Sequence, residues 1–442
     1  MTQFQQLVLN IAEAKNIEQK FRLLLKMSSI LQGWKEQKAR FDIFSVNAQK
    51  FITSNLLFGL FSPFYLIFSN TFIFSSSKGN LEMNLVYCIF TFIGIITGFL
   101  LNGYISKYVH IKLILIGGVW LIFLTIVLMF SLPQKDISWF GIIFYGMSTG
   151  LGIGIYWSSR NYLTLVITNK NNRDFFSGID FILISLGKVV TPFLIGIYIG
   201  QGIKLGWFSA AIAYRSTLIL AFALVLVITI LILRIKHKSV RFGKFLYFSY
   251  SKRWQKVRLL LMTLGFFQGA IYVIPTVFIM KFVGGESFVG TINSLGYLVA
   301  IIIVYLISRK SGTEHRTRIV ILGFWMLTSG AVAFSLFFKS NVILGTYILI
   351  FLMFLAEPIL NFPIRASLLD VINDIKKQEK RKAYAYIFDV EAFTAVGRVA
   401  SLTIFYFLYL VLPVAISIIV FILFMAITQY YCISLTRKIN EC

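Results

Sequence analysis

The sequence predicts an all-α polytopic membrane protein of about twelve transmembrane helices, built as two six-helix repeats with both termini cytoplasmic. Three observations predict it. The chain is 58 % hydrophobic and only 13 % charged, leaving too few polar groups to cover a water-soluble domain. About twelve apolar stretches are each long enough to cross a ~30 Å hydrocarbon core as a helix of ~20 residues. When those stretches are laid out, the 42 Lys and Arg residues alternate steeply between successive loops.

One set of loops carries Lys107 and Lys112, Lys170 and Arg173, Arg309, Lys310, Arg316 and Arg318, and the run Lys376, Lys377, Lys380, Arg381, Lys382. The same side holds the basic residues of the first fifty positions, of the stretch from Arg234 to Arg258, and of the C-terminus. The other set has only Lys78, Lys135, Lys204, Lys281 and Lys339, while Arg160, Lys188, Arg215, Arg365 and Arg398 fall inside helices. By the positive-inside rule the basic side is cytoplasmic, as in a multi-pass protein of the bacterial inner membrane. The net charge of +25 is spread over short loops facing an anionic leaflet, which argues for membrane lipids and against nucleic acid as its partner.

Cys88, Cys432 and Cys442 show no paired spacing, so neither a disulfide framework nor a thiolate metal site is expected. His110, His237 and His315 all lie in basic loops, which argues against histidine chemistry inside the bilayer. No cofactor or metal is expected.

Residues 1–47 form no secretory signal, because Glu13 and Glu18 interrupt any apolar region. Ile17, Phe21, Leu24 and Leu31 recur at helical spacing opposite Lys15, Glu18, Lys20, Arg22 and Lys26. That pattern fits an amphipathic helix lying on the inner leaflet or on the protein's own loops. Six spans follow over 48–235, then a basic central loop at 236–257, six more spans over 258–436, and a tail at 437–442. Weak internal similarity relates the halves. Ile105-Ser106-Lys107 ends the second span as Ile307-Ser308-Arg309 ends the eighth, Arg160 in the fourth corresponds to Arg365 in the tenth, and Gly187-Lys188-Val189 in the fifth corresponds to Gly397-Arg398-Val399 in the eleventh. Parallel repeats of this kind place a binding site near the midplane between the halves. In the fourth span Gly146, Gly150 and Gly154 form a small-residue ridge for close packing.

Six plus six spans, a basic central loop and the repeat together resemble the major facilitator superfamily, over nearly the whole chain from Asn47 onward. In the fifth span Gly178, Gly187, Pro192 and Gly196 resemble its antiporter motif, with Thr191 and Ile195 in place of two glycines and Lys188 an unusual charge. That likeness implies a closely packed, bendable helix and favours efflux. The motif after the second span is degraded: Gly103 and Ile105 remain, but Lys107 stands where the family has Asp and His110 where it has Gly. Other residues must therefore lock that gate.

Charges inside a membrane are costly, and their depth suggests their role. At 1.5 Å per residue, Arg160 and Arg365 lie ~33 and ~35 Å from the outer ends of their helices, near the inner surface. Asp180, Asp389 and Glu391 lie in the inner third, and the resemblance implies that the inner tips of spans four and five meet those of ten and eleven, so bridges from Arg160 to Asp389 or Glu391, and from Arg365 to Asp180, are expected to form an inner gate. The alternative is that both arginines snorkel to headgroups, as Arg215 is expected to do on the outer side. Lys188 and Arg398 lie deeper, ~20–22 Å from the cytoplasmic side, and Glu357 ~24 Å from the outer side. In the functional reading Lys188 and Arg398 attract an anionic group, and Glu357 or Glu391 binds a coupling proton. In the structural reading they form static salt bridges. Tyr156, Trp157, Asn361, Gln268 and Tyr272 are candidates to line the cavity.

The resemblance implies a secondary transporter, acting as a monomer, that moves a small organic solute by alternating access. Proton-coupled efflux or exchange of an amphiphilic or anionic compound leads, with proton-coupled uptake of an organic anion as the alternative within that class. A non-transporting sensor on the same fold is the alternative outside it. An enzyme is not expected: a membrane transferase would need an Asp cluster or an intramembrane His, and a primary pump a phosphate loop, and the sequence has neither.

Overall fold

The computed structural model describes residues 44–131, 137–168, 173–236, 244–310 and 316–440. The amphipathic segment read at 1–47 lies, up to residue 43, outside the described residues. Among the described residues, twelve helices are long and apolar enough to span a bilayer. They are α1 (Val46–Ser76), α2 (Leu81–Ile105), α3 (Ile111–Ser131), α4 (Trp139–Ile167), α5 (Arg173–Lys204) and α6 (Ala210–Leu233) in the N-terminal half. The C-terminal half contains α7 (Lys252–Val283), α8 (Glu286–Lys310), α9 (Arg316–Phe337), α10 (Val342–Glu379), α11 (Ala383–Val411) and α12 (Val414–Asn440).

Polar caps explain where several helices start. Ser45, Asn80, Ser138, Ser209, Ser251 and Asn341 each accept a backbone N–H from the first turn of the helix that follows, satisfying a donor with no intrahelical partner. The Ser251 cap starts α7 within the stretch read as central loop, and α12 runs to Asn440, within the stretch read as tail. Helices here continue past the apolar core because nothing in the basic segments breaks them. α10, at 38 residues, is the longest and stops where Lys380 turns left-handed at φ 51°.

The repeat read from sequence is a repeat of packing. α1 packs on α5 and α6, α2 on α4, and α3 on α4 and α6; the C-terminal half repeats all five pairs as α7 on α11 and α12, α8 on α10, and α9 on α10 and α12. Two close glycine crossings correspond as well. A Cβ on Gly187 would lie 2.4 Å from the Gly59 carbonyl carbon, and one on Gly397 would lie 2.1 Å from the Met262 carbonyl oxygen. α1 and α7 also share a kink: Pro63 is followed by a π-helical turn at Phe64–Phe68, and Pro275 by one at Ile279–Val283.

The α4 glycine ridge meets α2, with Gly146, Gly150 and Gly154 against the backbone carbonyls of Tyr87, Thr91 and Ile95. Such contact replaces the hydrophobic drive that is missing between helices in lipid. Arg215, expected to snorkel, has a protein partner at the end of α3. It donates to the Phe130 and Ser131 carbonyls at 3.3 and 2.7 Å, because the unpaired carbonyls ending α3 attract a cation.

The helix ends divide between two faces. The basic face holds Lys107, Lys112, Lys252 and Lys382, together with segment 244–251; the opposite face holds the turns at Lys78, Gly206, Gly284 and Lys339.

Candidate substrate site and gates

Midway along α7, α10 and α11 a hydrogen-bonded chain crosses the C-terminal half. Arg398 Nη1 donates to Glu391 Oε1 at 2.5 Å, and its Nε and Nη2 donate to Gln268 Oε1 at 3.1 and 2.6 Å. Gln268 Nε2 donates to Asn361 Oδ1 at 2.9 Å, and Asn361 Nδ2 to Glu357 Oε1 at 3.1 Å. Helical spacing brings these groups together: Glu391 and Arg398 are seven residues apart on α11, and Glu357 and Asn361 four apart on α10. Arg398 is therefore already compensated by a carboxylate and an amide oxygen.

The N-terminal half faces this chain with aromatic rings. Phe92 on α2 lies 5.3 Å from the Arg398 guanidinium and meets Tyr272 edge-on at 5.0 Å. Lys188 Nζ on α5 reaches across to α8, 5.3 Å from the Tyr297 ring centre. Aromatic rings of both halves therefore stand beside these charges, Phe92 of α2 at Arg398 and Tyr297 of α8 at Lys188.

Nearer the basic face each half holds, among the described residues, one buried aspartate. Asp180 on α5 is bound by Arg160 of α4 and by Asn55 Nδ2 of α1 at 2.7 Å. Tyr156 hydroxyl donates to Asn55 Oδ1 at 3.2 Å, and the Arg160 guanidinium stacks 4.6 Å from Trp157. Asp389 on α11 accepts from Trp254 Nε1 at 2.6 Å and from Arg258 Nε and Nη2 at 2.8 and 2.7 Å, all on α7. Burial, and then the Asp389 charge, push the phenol of Tyr250 in the preceding segment up to about 12.

These pairings correct the expected inner gate. Arg160 takes Asp180 within its own half, Asp389 takes Arg258, and Glu391 takes Arg398 on its own helix. The side chain of Arg365 lies outside the described residues, and Asp180 is already engaged by Arg160 and Asn55. The physical reason is proximity. Each pair lies within one half, where its members are already within bonding distance. Tyr156 and Trp157, expected to line the cavity, take part in the Asp180 cluster, while Gln268 and Asn361 join the hydrogen-bonded chain to Arg398 and Tyr272 meets Phe92. Sequence reasoning passed over Trp254 and Arg258, which hold Asp389.

The fifth-span motif divides similarly. Gly187 packs on α1 and Gly196 on Gly290 of α8, where an added Cβ would lie 2.7 Å from the Gly290 Cα. The Pro192 carbonyl sits where a Cβ on Gly290 would be, 2.2 Å away. Gly178 is exposed with nothing within 4 Å of an added Cβ, so the close-packing reading does not hold there. Beside Gly196 the halves meet at the opposite face, where Glu286 Oε1 on α8 accepts from Tyr214 of α6 at 3.0 Å and Ser75 of α1 at 3.3 Å. Sequence reasoning missed this junction, because a single carboxylate at a helix start does not reveal which helices meet it.

With that geometry in view, residues 50–388 match the sequence profile of the Major Facilitator Superfamily. The chain belongs to that superfamily. As a superfamily member it is a multi-pass integral membrane transporter of a small molecule rather than an enzyme. It is 26 % identical over 313 residues, 70 % of each chain, to the uncharacterized protein YqgE of Bacillus subtilis (strain 168). The fold of this superfamily member is similar to a bacterial homologue of the iron transporter ferroportin solved inward-facing, with a TM-score of 0.64 and 13 % identity over 90 % of this chain and 100 % of that one. The same homologue solved outward-facing gives 0.61 and 13 % over the same shares. A bacterial metal transporter gives 0.58 and 12 %, again over 90 % and 100 %.

Proposed function

We propose that this transporter moves an organic anion together with a proton by alternating access, acting as a monomer in the bacterial inner membrane with its basic face toward the cytoplasm. The observation that carries this reading is the bond from Arg398 to Glu391 at 2.5 Å, with side chains 14 % and 21 % exposed. An incoming carboxylate or phosphate competes with Glu391 for the same guanidinium. A proton on Glu391 removes the competitor, so anion and proton favour each other's binding, and reciprocity makes the coupling equal in both directions. Ligands that bind together cross together. An inward proton gradient would then drive uptake, which moves the weight from exchange to cotransport. Lys188 supplies a second cation from the other half, and the rings of Tyr272, Tyr297 and Phe92 suit an amphiphilic anion.

Exchange or efflux is the second reading, favoured by the Gly187, Pro192 and Gly196 motif. In it a cationic amphiphile would displace the proton from Glu357, so the two would bind in turn and cross in opposite directions. The metal cargo named for the neighbouring structures is theirs, at 12–13 % identity, and is not carried over to this chain. Among the described residues no three His, Cys, Asp or Glu side chains converge to hold a metal.

A thermal-shift screen of detergent-purified protein at pH 5.5 and 7.5 tests the reading, because ligands that bind the folded state raise its apparent stability. Organic anions should stabilise more at the lower pH, Glu391→Gln should remove that pH difference, and Arg398→Ala should abolish the stabilisation. Anion binding that survives Arg398→Ala refutes the reading. Stabilisation by lipophilic cations that grows with pH restores exchange.

A further inference from the structure

The degraded motif after the second span leaves the basic-face gate without its usual acid, and the structure fills that place with aromatic rings. Segment 244–251 is a strap leading into α7, and its later part is bound to the C-terminal half. Arg381 Nη2 donates to the Ser249 carbonyl at 2.8 Å, the Ser251 N–H donates to Glu379 Oε1 at 3.1 Å, and the Arg381 guanidinium lies 4.4 Å from each of the Tyr247 and Tyr250 rings. The early part of the strap reaches the other half. Phe245, only 4 % exposed, lays its ring on Gly103 of α2, so closely that an added Cβ there would lie 2.3 Å from Cζ. The ring meets Tyr104 of α2 at 5.4 Å and Tyr384 and Phe388 of α11 at 5.5 and 5.6 Å. Beside it the Tyr384 hydroxyl donates to the Phe99 carbonyl of α2 at 2.8 Å.

We propose that Phe245 is the plug of the basic-face gate, an aromatic latch carried by the strap that must leave its seat on Gly103 before this face opens. The retained motif glycine then has a specific task. Only a residue without a side chain leaves room for the ring, and Lys107, in place of the usual acid, turns to the Tyr104 ring at 5.2 Å. Opening would carry α2 away from α11, expose the Phe245 ring to water and break the Tyr384 bond. The latch therefore exists only in the closed state and biases the equilibrium toward it.

The test is a distance distribution by electron double resonance, in lipid nanodiscs, between spin labels at the exposed positions Lys107→Cys and Lys382→Cys, with Cys442→Ser. The native Cys88 and Cys432 are buried. Phe245→Ala should raise the population of the wide, basic-face-open distance about tenfold, in keeping with the loss of three aromatic contacts. Gly103→Leu, which fills the seat, should do the same from the other half. Phe248→Ala, in the same strap but 96 % exposed, should leave the distribution unchanged. Tyr384→Phe removes one hydroxyl and keeps the ring, and should give a smaller shift in the same direction even where the larger substitutions unfold the protein. Wild-type distributions in the folded variants, or an equal shift in Phe248→Ala, overturn the proposal.

Discussion

Asp389, 5 % exposed, meets three N–H donors from α7, and the Arg258 guanidinium is held in turn between the Tyr250 and Phe393 rings at 4.2 and 4.5 Å. A buried pair of this kind adds modest net stability, but removal of one partner strands the other charge. Arg258→Ala should therefore lower unfolding stability by about 3 kcal/mol, seen as a lower midpoint in thermal denaturation, and Arg258→Ala with Asp389→Asn should recover part of the loss. Arg398→Ala should cost less, about 1–2 kcal/mol, because Glu391 is 21 % exposed and retains access to water. A larger loss at Arg398 than at Arg258 would make the central pair the structural one and remove its proposed part in binding.

At the scale of helices, steric room decides what the fifth-span motif does. Gly187→Leu has no space beside Gly59 and should reduce the yield of folded protein sharply, and its repeat partner Gly397→Leu should do the same against Met262. Gly178→Ala meets nothing within 4 Å and should be neutral or slightly stabilising, because alanine narrows the unfolded ensemble. Size-exclusion yield and melting temperature of the three variants check the order. Equal damage at all three positions would contradict the packing described for α5. Part of this was legible in the sequence, since Gly187 and Gly397 stand in register. Which neighbour each glycine admits was not, because a glycine records that something approaches and not what.

At the scale of the whole molecule the two halves touch at both ends, and the contacts differ in chemistry. The opposite face is tied by a carboxylate, with Glu286 accepting from Tyr214 and Ser75 beside the Gly196–Gly290 crossing. The basic face is tied by Phe245 and Tyr384. Each tie weights one side of the equilibrium between conformations. Glu286→Ala should loosen the opposite face and, with spin labels at Lys107→Cys and Lys382→Cys, narrow the basic-face distance that Phe245→Ala widens. The double variant should fall between them. Shifts of the same sign would mean that the two contacts do not belong to opposing gates.

Much of this molecule follows from the chain alone. Twelve spans, the twofold repeat and a face rich in Lys and Arg are read from hydropathy and loop charge, because a bilayer requires every spanning backbone to satisfy its own hydrogen bonds as helix. The depths expected for Lys188, Glu357 and Arg398 rest on counting residues at a fixed rise. Partners were decided only by the tertiary structure. Arg160 had three carboxylates within plausible reach by depth, and the fold brought it Asp180 of α5, held in turn by Asn55 of α1. Phe245 was one apolar residue in a basic loop until the fold set it on Gly103. Depth is a property of position along one helix, whereas a bond depends on the rotation and approach of two, which hydropathy does not encode.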